Sequence, residues 1–133
     1  MVYFISDVHL GYSNRETERK KEDLLLAFLE KIKKDCETLY IVGDLFDFWF
    51  DYKHVAPKIF FRTLAALYDL NNSGIQIEYL MGNHDFGHWK FFDEELKIPI
   101  HRTDIEREIG GKKFYISHGD GKAYNDTGYQ IGR

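Results

Sequence analysis

Three short apolar runs, each stopping abruptly at polar residues, constrain this chain most. Val2 to Ser6 runs into Asp7 and His9, Leu39 to Val42 into Gly43-Asp44, and Ile75 to Met81 into Gly82-Asn83-His84-Asp85. Runs of this length that are apolar almost throughout predict strands of a parallel sheet covered on both faces, with Val2–Ser6 as a central strand. Polar side chains delivered together at the carboxyl ends of such strands stand where open α/β sheets place ligands.

The segments between the runs read as helices. Ser13-Asn14-Arg15-Glu16 has capping-box spacing, and Leu24, Leu25, Phe28, Leu29 and Ile32 then predict one apolar face of a helix reaching about Lys34. Its basic end, Lys31 to Lys34, suits the helix dipole. A second helix is expected from near Pro57, with Phe60, Phe61, Leu64, Leu67 and Tyr68 as its apolar face and Gly74 as its C-terminal cap. Strand, helix, strand, helix, strand implies two crossover units and a parallel sheet. Beyond Trp89 the pattern changes. Phe91 to Leu96 reads as a short helical turn, and Ile98–Arg102 and Ile105–Ile109 read as strands. Gly110-Gly111 is a hairpin turn into Lys113–Ser117. The expected class is α/β: βαβαβ followed by antiparallel strands.

Composition narrows the function classes. The 133 residues suit a single domain over 1–133, and 44% hydrophobic with 17% aromatic residues excludes a disordered chain. A net charge of −4 with mixed signs argues against broad nucleic-acid binding, so no nucleic-acid partner is expected. One cysteine, Cys36, makes no internal disulfide, and it reads as buried and inert in a reducing compartment. The first ten residues do not resemble a signal peptide, and no apolar run reaches ~18 residues, so a cytoplasmic location is expected, with peripheral membrane contact left open. His54, His88 and His101 fall in no motif and read as surface or structural. Phe46, Phe48, Trp49, Phe50 and Tyr52 read as core under a loop ahead of a lipid or nucleoside pocket.

The strand ends carry the chemistry. On extended backbone, Asp7-x-His9 points both side chains the same way. Asp, His and Asn donors without thiolate suit Mn, Fe, Zn or similar ions better than a structural zinc. Two divalent cations bring four positive charges and Asp7 with Asp44 return two negative ones, leaving a centre that attracts phosphate. Such pairs of ions, ~3.5–4 Å apart, activate water and clamp attacking and leaving oxygens. Any one Asp or Asn after a strand is more often a turn former; four such sites with matching histidines reverse that prior.

Asp7-x-His9, Gly43-Asp44-x-x-Asp47, Gly82-Asn83-His84-Asp85 and His118-Gly119-Asp120, in that order, resemble the calcineurin-like metallophosphoesterase superfamily. The resemblance implies a four-layer α/β/β/α sandwich, of which this chain would form the N-terminal portion. It implies Asp7 and His9 on a first metal, Asp44 bridging, and Asn83 and His118 on a second. His84 would stand beside the phosphate, oriented by Asp47 or Asp85. Gly43-Asp44-Leu45-Phe46-Asp47-Phe48-Trp49, Phe86 and the Asp126-x-Gly128-Tyr129-Gln130-x-x-Arg133 ending are similar to the UDP-2,3-diacylglucosamine pyrophosphohydrolases of lipid A synthesis. Those enzymes use two divalent ions, typically manganese, with Fe, Zn or Mg as alternatives, and a metal-activated hydroxide attacks phosphorus of a lipid-linked nucleotide. Asn125, Asp126 and Arg133 are then candidate phosphate clamps. Two departures stand out: His84 replaces the Arg of several members, and the superfamily's last Gly-His-x-His is absent. The expectation is therefore an incomplete domain, open to self-association. Its rival functions are another phosphodiesterase or phosphatase on the same centre, and a non-catalytic scaffold.

Overall fold

β1 (Val2–Ile5), β2 (Thr38–Val42), β3 (Gln76–Leu80) and β4 (Ile100–His101) form one parallel sheet in that spatial order. The computed structural model describes residues 1–119, so Asp120, Asn125, Asp126 and Arg133 lie outside the described residues. Strand order that advances one step at a time, joined by right-handed crossovers, puts both connecting helices on the same face. α1 (Arg15–Ile32) and α2 (Phe61–Asn72, entered through a 3₁₀ turn at Lys58–Phe60) do share one core. Leu25, Leu29 and Ile32 of α1 and Leu64, Leu67 and Leu70 of α2 are buried with Leu39, Ile41, Ile77 and Tyr79 of the sheet.

The opposite face meets a hairpin. β5 (Ile105–Ile109) and β6 (Lys112–Ile116) pair antiparallel across Gly110-Gly111 as a separate two-stranded sheet. Both glycines have positive φ, as a two-residue turn of this kind demands. A second, smaller core forms here from Tyr40, Leu80 and Ile116, flanked by Val2, Val42, Ile105 and Ile109.

The structure corrects several expectations. β1 is the edge strand of this sheet among the described residues, with Phe4 45% exposed, so it is not a central strand. β4 is parallel to β3 and joins the first sheet, leaving only β5 and β6 antiparallel. Asn14, not Ser13, caps α1, its side chain accepting from the Thr17 amide at 2.9 Å. Glu16 closes no box; the acid that reaches back is Glu18, which accepts from the Gly11 and Ser13 amides. Leu24 is exposed, and the buried stripe instead includes Glu22. That carboxylate is satisfied across the helix pair by Thr63 Oγ1 at 2.7 Å and Arg62 Nη2 at 2.9 Å, which a periodicity of apolar residues cannot report. On α2 the buried stripe is Thr63, Leu64, Leu67 and Leu70, while Phe61 and Tyr68 are exposed. Gly74, in the left-handed conformation past the helix end, is where the cap was expected.

The aromatic run divides. Phe46 and Trp49 are fully buried, whereas Phe48, Phe50 and Tyr52 are exposed. Asp51 explains the division: its buried carboxylate accepts from Trp49 Nε1 and from the amides of Trp89, Lys90 and Phe91. It thereby pins the loop to the π-helical turn at Phe91–Leu96. His88 lies in this core against Trp49, Tyr79 and Phe92, with neither ring nitrogen hydrogen-bonded. His101 bonds Glu78 at 2.8 Å, His54 is exposed, and Cys36 is buried with burial pushing its thiol pKa up. No helix of the described residues is long and apolar enough to cross a membrane.

Burial lowers the His88 pKa from 6.5 to about 4, against the pull of Asp85 and Asp51. The unfolded chain therefore takes up a proton that the fold refuses. Stability is full above pH 6.5 and falls by roughly 1.4 kcal/mol per pH unit down towards pH 4. His88→Phe keeps a stacked ring and removes the titration. Urea unfolding at pH 7 and pH 5 should show the parent losing about 2 kcal/mol more than the variant on acidification.

Candidate metal centre

Three strand ends meet because their backbones are laced together. The Asp7 amide donates to the Gly43 carbonyl at 3.1 Å, the His9 amide to the Asp44 carbonyl at 2.9 Å, and the Leu10 amide to the Leu45 carbonyl at 3.0 Å. The chain after β1 thus continues alongside the chain after β2, past the last residues of either strand. The backbone there is not extended. Asp7, His9 and Asp44 have φ of 57°, 52° and 55°, the left-handed region that non-glycine residues enter at a cost of about 1 kcal/mol or more each. The expectation that strand alternation aims Asp7 and His9 together is therefore corrected. They converge through two left-handed kinks flanking Val8.

Asp85 holds the framework in place. Its carboxylate accepts from the amides of Asp44 (3.0 Å), Leu45 (2.8 Å), Phe46 (3.3 Å) and Gly82 (2.8 Å), and from the Tyr79 hydroxyl. Burial first, then the Asp85 charge, push the Tyr79 pKa up, so the hydroxyl stays protonated and donates. Asp85 is fully buried, and its carboxylate is taken up by these five donors. The acid that reaches His84 is Asp47: its carbonyl lies 3.2 Å and its Oδ1 3.5 Å from His84 Nδ1, and the same Oδ1 lies 3.3 Å from His9 Nδ1. Asp47 so takes the Nδ1 side of both rings and leaves their Nε2 atoms for other partners.

At the centre is Asp44, 1% exposed. Oδ1 accepts from the His84 amide at 2.8 Å, and Oδ2 lies 3.6 Å from His9 Nε2 and 3.4 Å from His118 Nε2. Asp7 Oδ1 completes the cluster at 3.5 Å from His9 Nε2 and 3.4 Å from His118 Nε2. Burial drives the Asp44 pKa up, the His84 amide opposes this, and the nearby Asp85 charge raises it again. A buried carboxylate with a second carboxylate behind it favours added positive charge.

These side chains fit divalent ions. Their mutual separations of 3.4–3.6 Å exceed an ordinary N–H···O bond. They suit atoms that share an ion at bonds of ~2.0–2.2 Å. Among the described residues, two groups of three donors each have their ligand atoms within 4.8 Å of one another: His9, Asp44 and His84, and Asp7, Asp44 and His118. Asp44 is common to both. Asp7 Oδ1 stands about equally near His9 Nε2 and His118 Nε2, at 3.5 and 3.4 Å, so it lies beside either histidine. Asn83 is exposed, between Gly82 and His84, whose backbones both abut Asp44. Tyr79 and Asp51 were missed by sequence reasoning. Tyr79 lay hidden among the apolar residues of β3, and its only signal was a hydroxyl at a buried position six residues before Asp85.

The sequence matches the family model described as Calcineurin-like phosphoesterase over residues 1–131. The chain belongs to that family. Among the curated relatives it is similar to a UDP-2,3-diacylglucosamine hydrolase of Porphyromonas gingivalis, 37% identical over 119 residues, 90% of this chain and 45% of that protein. One from Tolumonas auensis with the same name is 34% identical over 130 residues, 96% of this chain and 50% of that protein. The chain spans about half the length of these relatives. Among solved structures it resembles a protein of unknown function from Aquifex aeolicus, with a TM-score of 0.56 at 25% identity, covering 88% of this chain and 59% of that one.

Two variants test the framework. A Cβ on Gly82 would stand 2.2 Å from Asp44 Oδ1 and 2.6 Å from its amide, at a residue whose φ needs no glycine. Gly82→Ala should displace the Asp44 carboxylate and weaken Mn²⁺ binding at least about tenfold by calorimetric titration. Tyr79→Phe takes one donor from a buried carboxylate and should cost about 2 kcal/mol in urea unfolding.

Proposed function

We propose that this chain carries the metal-binding residues of a metal-dependent phosphoesterase acting on a pyrophosphate. The substrate would be UDP-2,3-diacylglucosamine or a close relative. The observation that carries this reading is the convergence of Asp7, His9, Asp44 and His118 on one point, with Asp44 shared between two donor groups. Family membership supports the reaction class, and the names of relatives at 37% and 34% identity support the substrate.

Asp7, His9, Asp44 and His118 would hold two divalent ions, with Asn83 as a neutral ligand. Manganese is the first choice, and Fe, Zn or Mg are alternatives for such a donor set. Bound there, the ions supply an activated water and Lewis-acid stabilisation of phosphoryl oxygens. The protein's own side chains do the rest. Asp47 fixes the tautomer and orientation of His9 and His84 through their Nδ1 atoms. His84, 45% exposed, then presents Nε2 to an incoming phosphate, where it donates a proton or balances charge. Asn125, Asp126 and Arg133 are proposed as phosphate contacts. A lipid-linked substrate would bring the protein to the cytoplasmic face of a membrane, without need of a spanning helix.

Asp44→Asn keeps the acceptor for the His84 amide and removes the shared charge. Turnover should fall at least about a thousandfold, ~4 kcal/mol of transition-state stabilisation, with an unchanged circular dichroism spectrum. Assays should use the lipid-linked UDP sugar beside a cyclic nucleotide and an aryl phosphate. Hydrolysis of the sugar nucleotide alone supports the substrate, hydrolysis of the others points to a different phosphoesterase, and no hydrolysis by the parent chain supports a non-catalytic role.

A further inference from the structure

Among the described residues, the hairpin that delivers His118 shares no backbone ladder with the sheet that delivers the other candidate ligands. Besides the contacts of His118 itself, two features among the described residues join them. One is the small apolar core of Tyr40, Leu80 and Ile116 with Ile105 and Ile109. The other is an ion pair: Arg107 of β5 reaches Glu78 of β3, with Nη2 2.6 Å from Oε1 and Nε 3.3 Å from Oε2. Glu78 is 3% exposed. Burial pushes its pKa up, but the bonds from Arg107 and His101 outweigh this and hold it below the usual carboxylate range.

The placement is unusual for a surface charge. Arg107 sits between Ile105 and Ile109 on the inward side of β5, in the middle of the apolar stripe. Glu78 likewise precedes Leu80 on the same side of β3. A buried ion pair in such a seam is often no more stable than two apolar residues. What it adds is direction. Apolar contact is indifferent to sliding along the strands, whereas a two-point guanidinium–carboxylate fork has one geometry. Packed face to face with no shared ladder, the hairpin can slide by any distance while keeping the same face inward. A metal site tolerates ~0.5 Å.

We propose that Glu78 and Arg107 are positioning residues, fixing the register of the hairpin on the sheet and so placing His118 against Asp7 and Asp44. The inference rests on the proposed function for its purpose and on the ion pair for its geometry. The two can fail separately, because His118 also packs on Gly43, where a Cβ would lie 2.3 Å from His118 Cδ2. A proton contact between the His118 ring and the Gly43 Cα therefore reports the register without any metal.

The test compares the parent with Glu78→Met/Arg107→Met by NMR and by Co²⁺ titration. The double variant should remain folded, with a melting temperature within a few degrees of the parent. It should lose the His118–Gly43 cross-peak and bind Co²⁺ at least about tenfold more weakly. Glu78→Gln, which keeps the acceptor shape, should weaken the cross-peak without abolishing it. An intact cross-peak in the folded double variant overturns the proposal. So does a double variant that no longer folds, because the pair would then carry stability and not register. A parent that shows the cross-peak but binds no Co²⁺ counts against the proposed function alone and leaves the register for the cross-peak to decide.

Discussion

One carboxylate holds the architecture of the site together. Asp85 accepts from three successive amides after β2, from Gly82 after β3, and from the Tyr79 hydroxyl within β3. Five donors on one buried anion make a strong, directional clamp, because charge-assisted bonds of this kind gain most where water is excluded. That clamp bends the chain at Asp44 into a left-handed conformation it would not choose. The bend turns the Asp44 carboxylate to the histidines, and the residues after β1 follow it through their bonds to Gly43, Asp44 and Leu45. Strain at Asp7, His9 and Asp44 is thus sustained by a single ionic hub.

The site lies on a seam. Helices cover one face of the parallel sheet, and a hairpin meets the other. Asp7, His9, Asp44, Asn83 and His84 come from the sheet, while His118 arrives from the hairpin. Any centre made from both depends on how the two are registered, which an apolar contact alone leaves loose. The Glu78 cluster supplies fixed geometry on that seam, since it takes bonds from His101 of β4 and Arg107 of β5 together.

Much of this was legible in the residue order. Mostly apolar runs marked β1, β2 and β3, and two glycines marked the hairpin. The motif order led to the cluster around Asp44. What escaped was anything carried by a polar group at a buried position. Glu22 took a place that periodicity assigned to an apolar residue, and Leu24 was left exposed. Asp51 acts through bonds to Trp89, Lys90 and Phe91, far along the chain, which no local pattern encodes, and Tyr79 bonds Asp85 from inside a strand that its neighbours made look apolar. The edge position of β1 was equally invisible, because an apolar run records burial in general and not which neighbours supply it. Asp7 Oδ1 and His9 Nε2 stand 3.5 Å apart, but alternation predicts convergence on straight backbone and the chain achieves it on kinked backbone.

The proposed metal centre requires that two ions share Asp44. Crystals of this chain soaked in Mn²⁺ and measured at the manganese absorption edge would test it directly. The account predicts two anomalous peaks ~3.5–4 Å apart, both within bonding distance of the Asp44 carboxylate. Strong peaks elsewhere with none at Asp44, or a single ion that Asp44 does not touch, would contradict it.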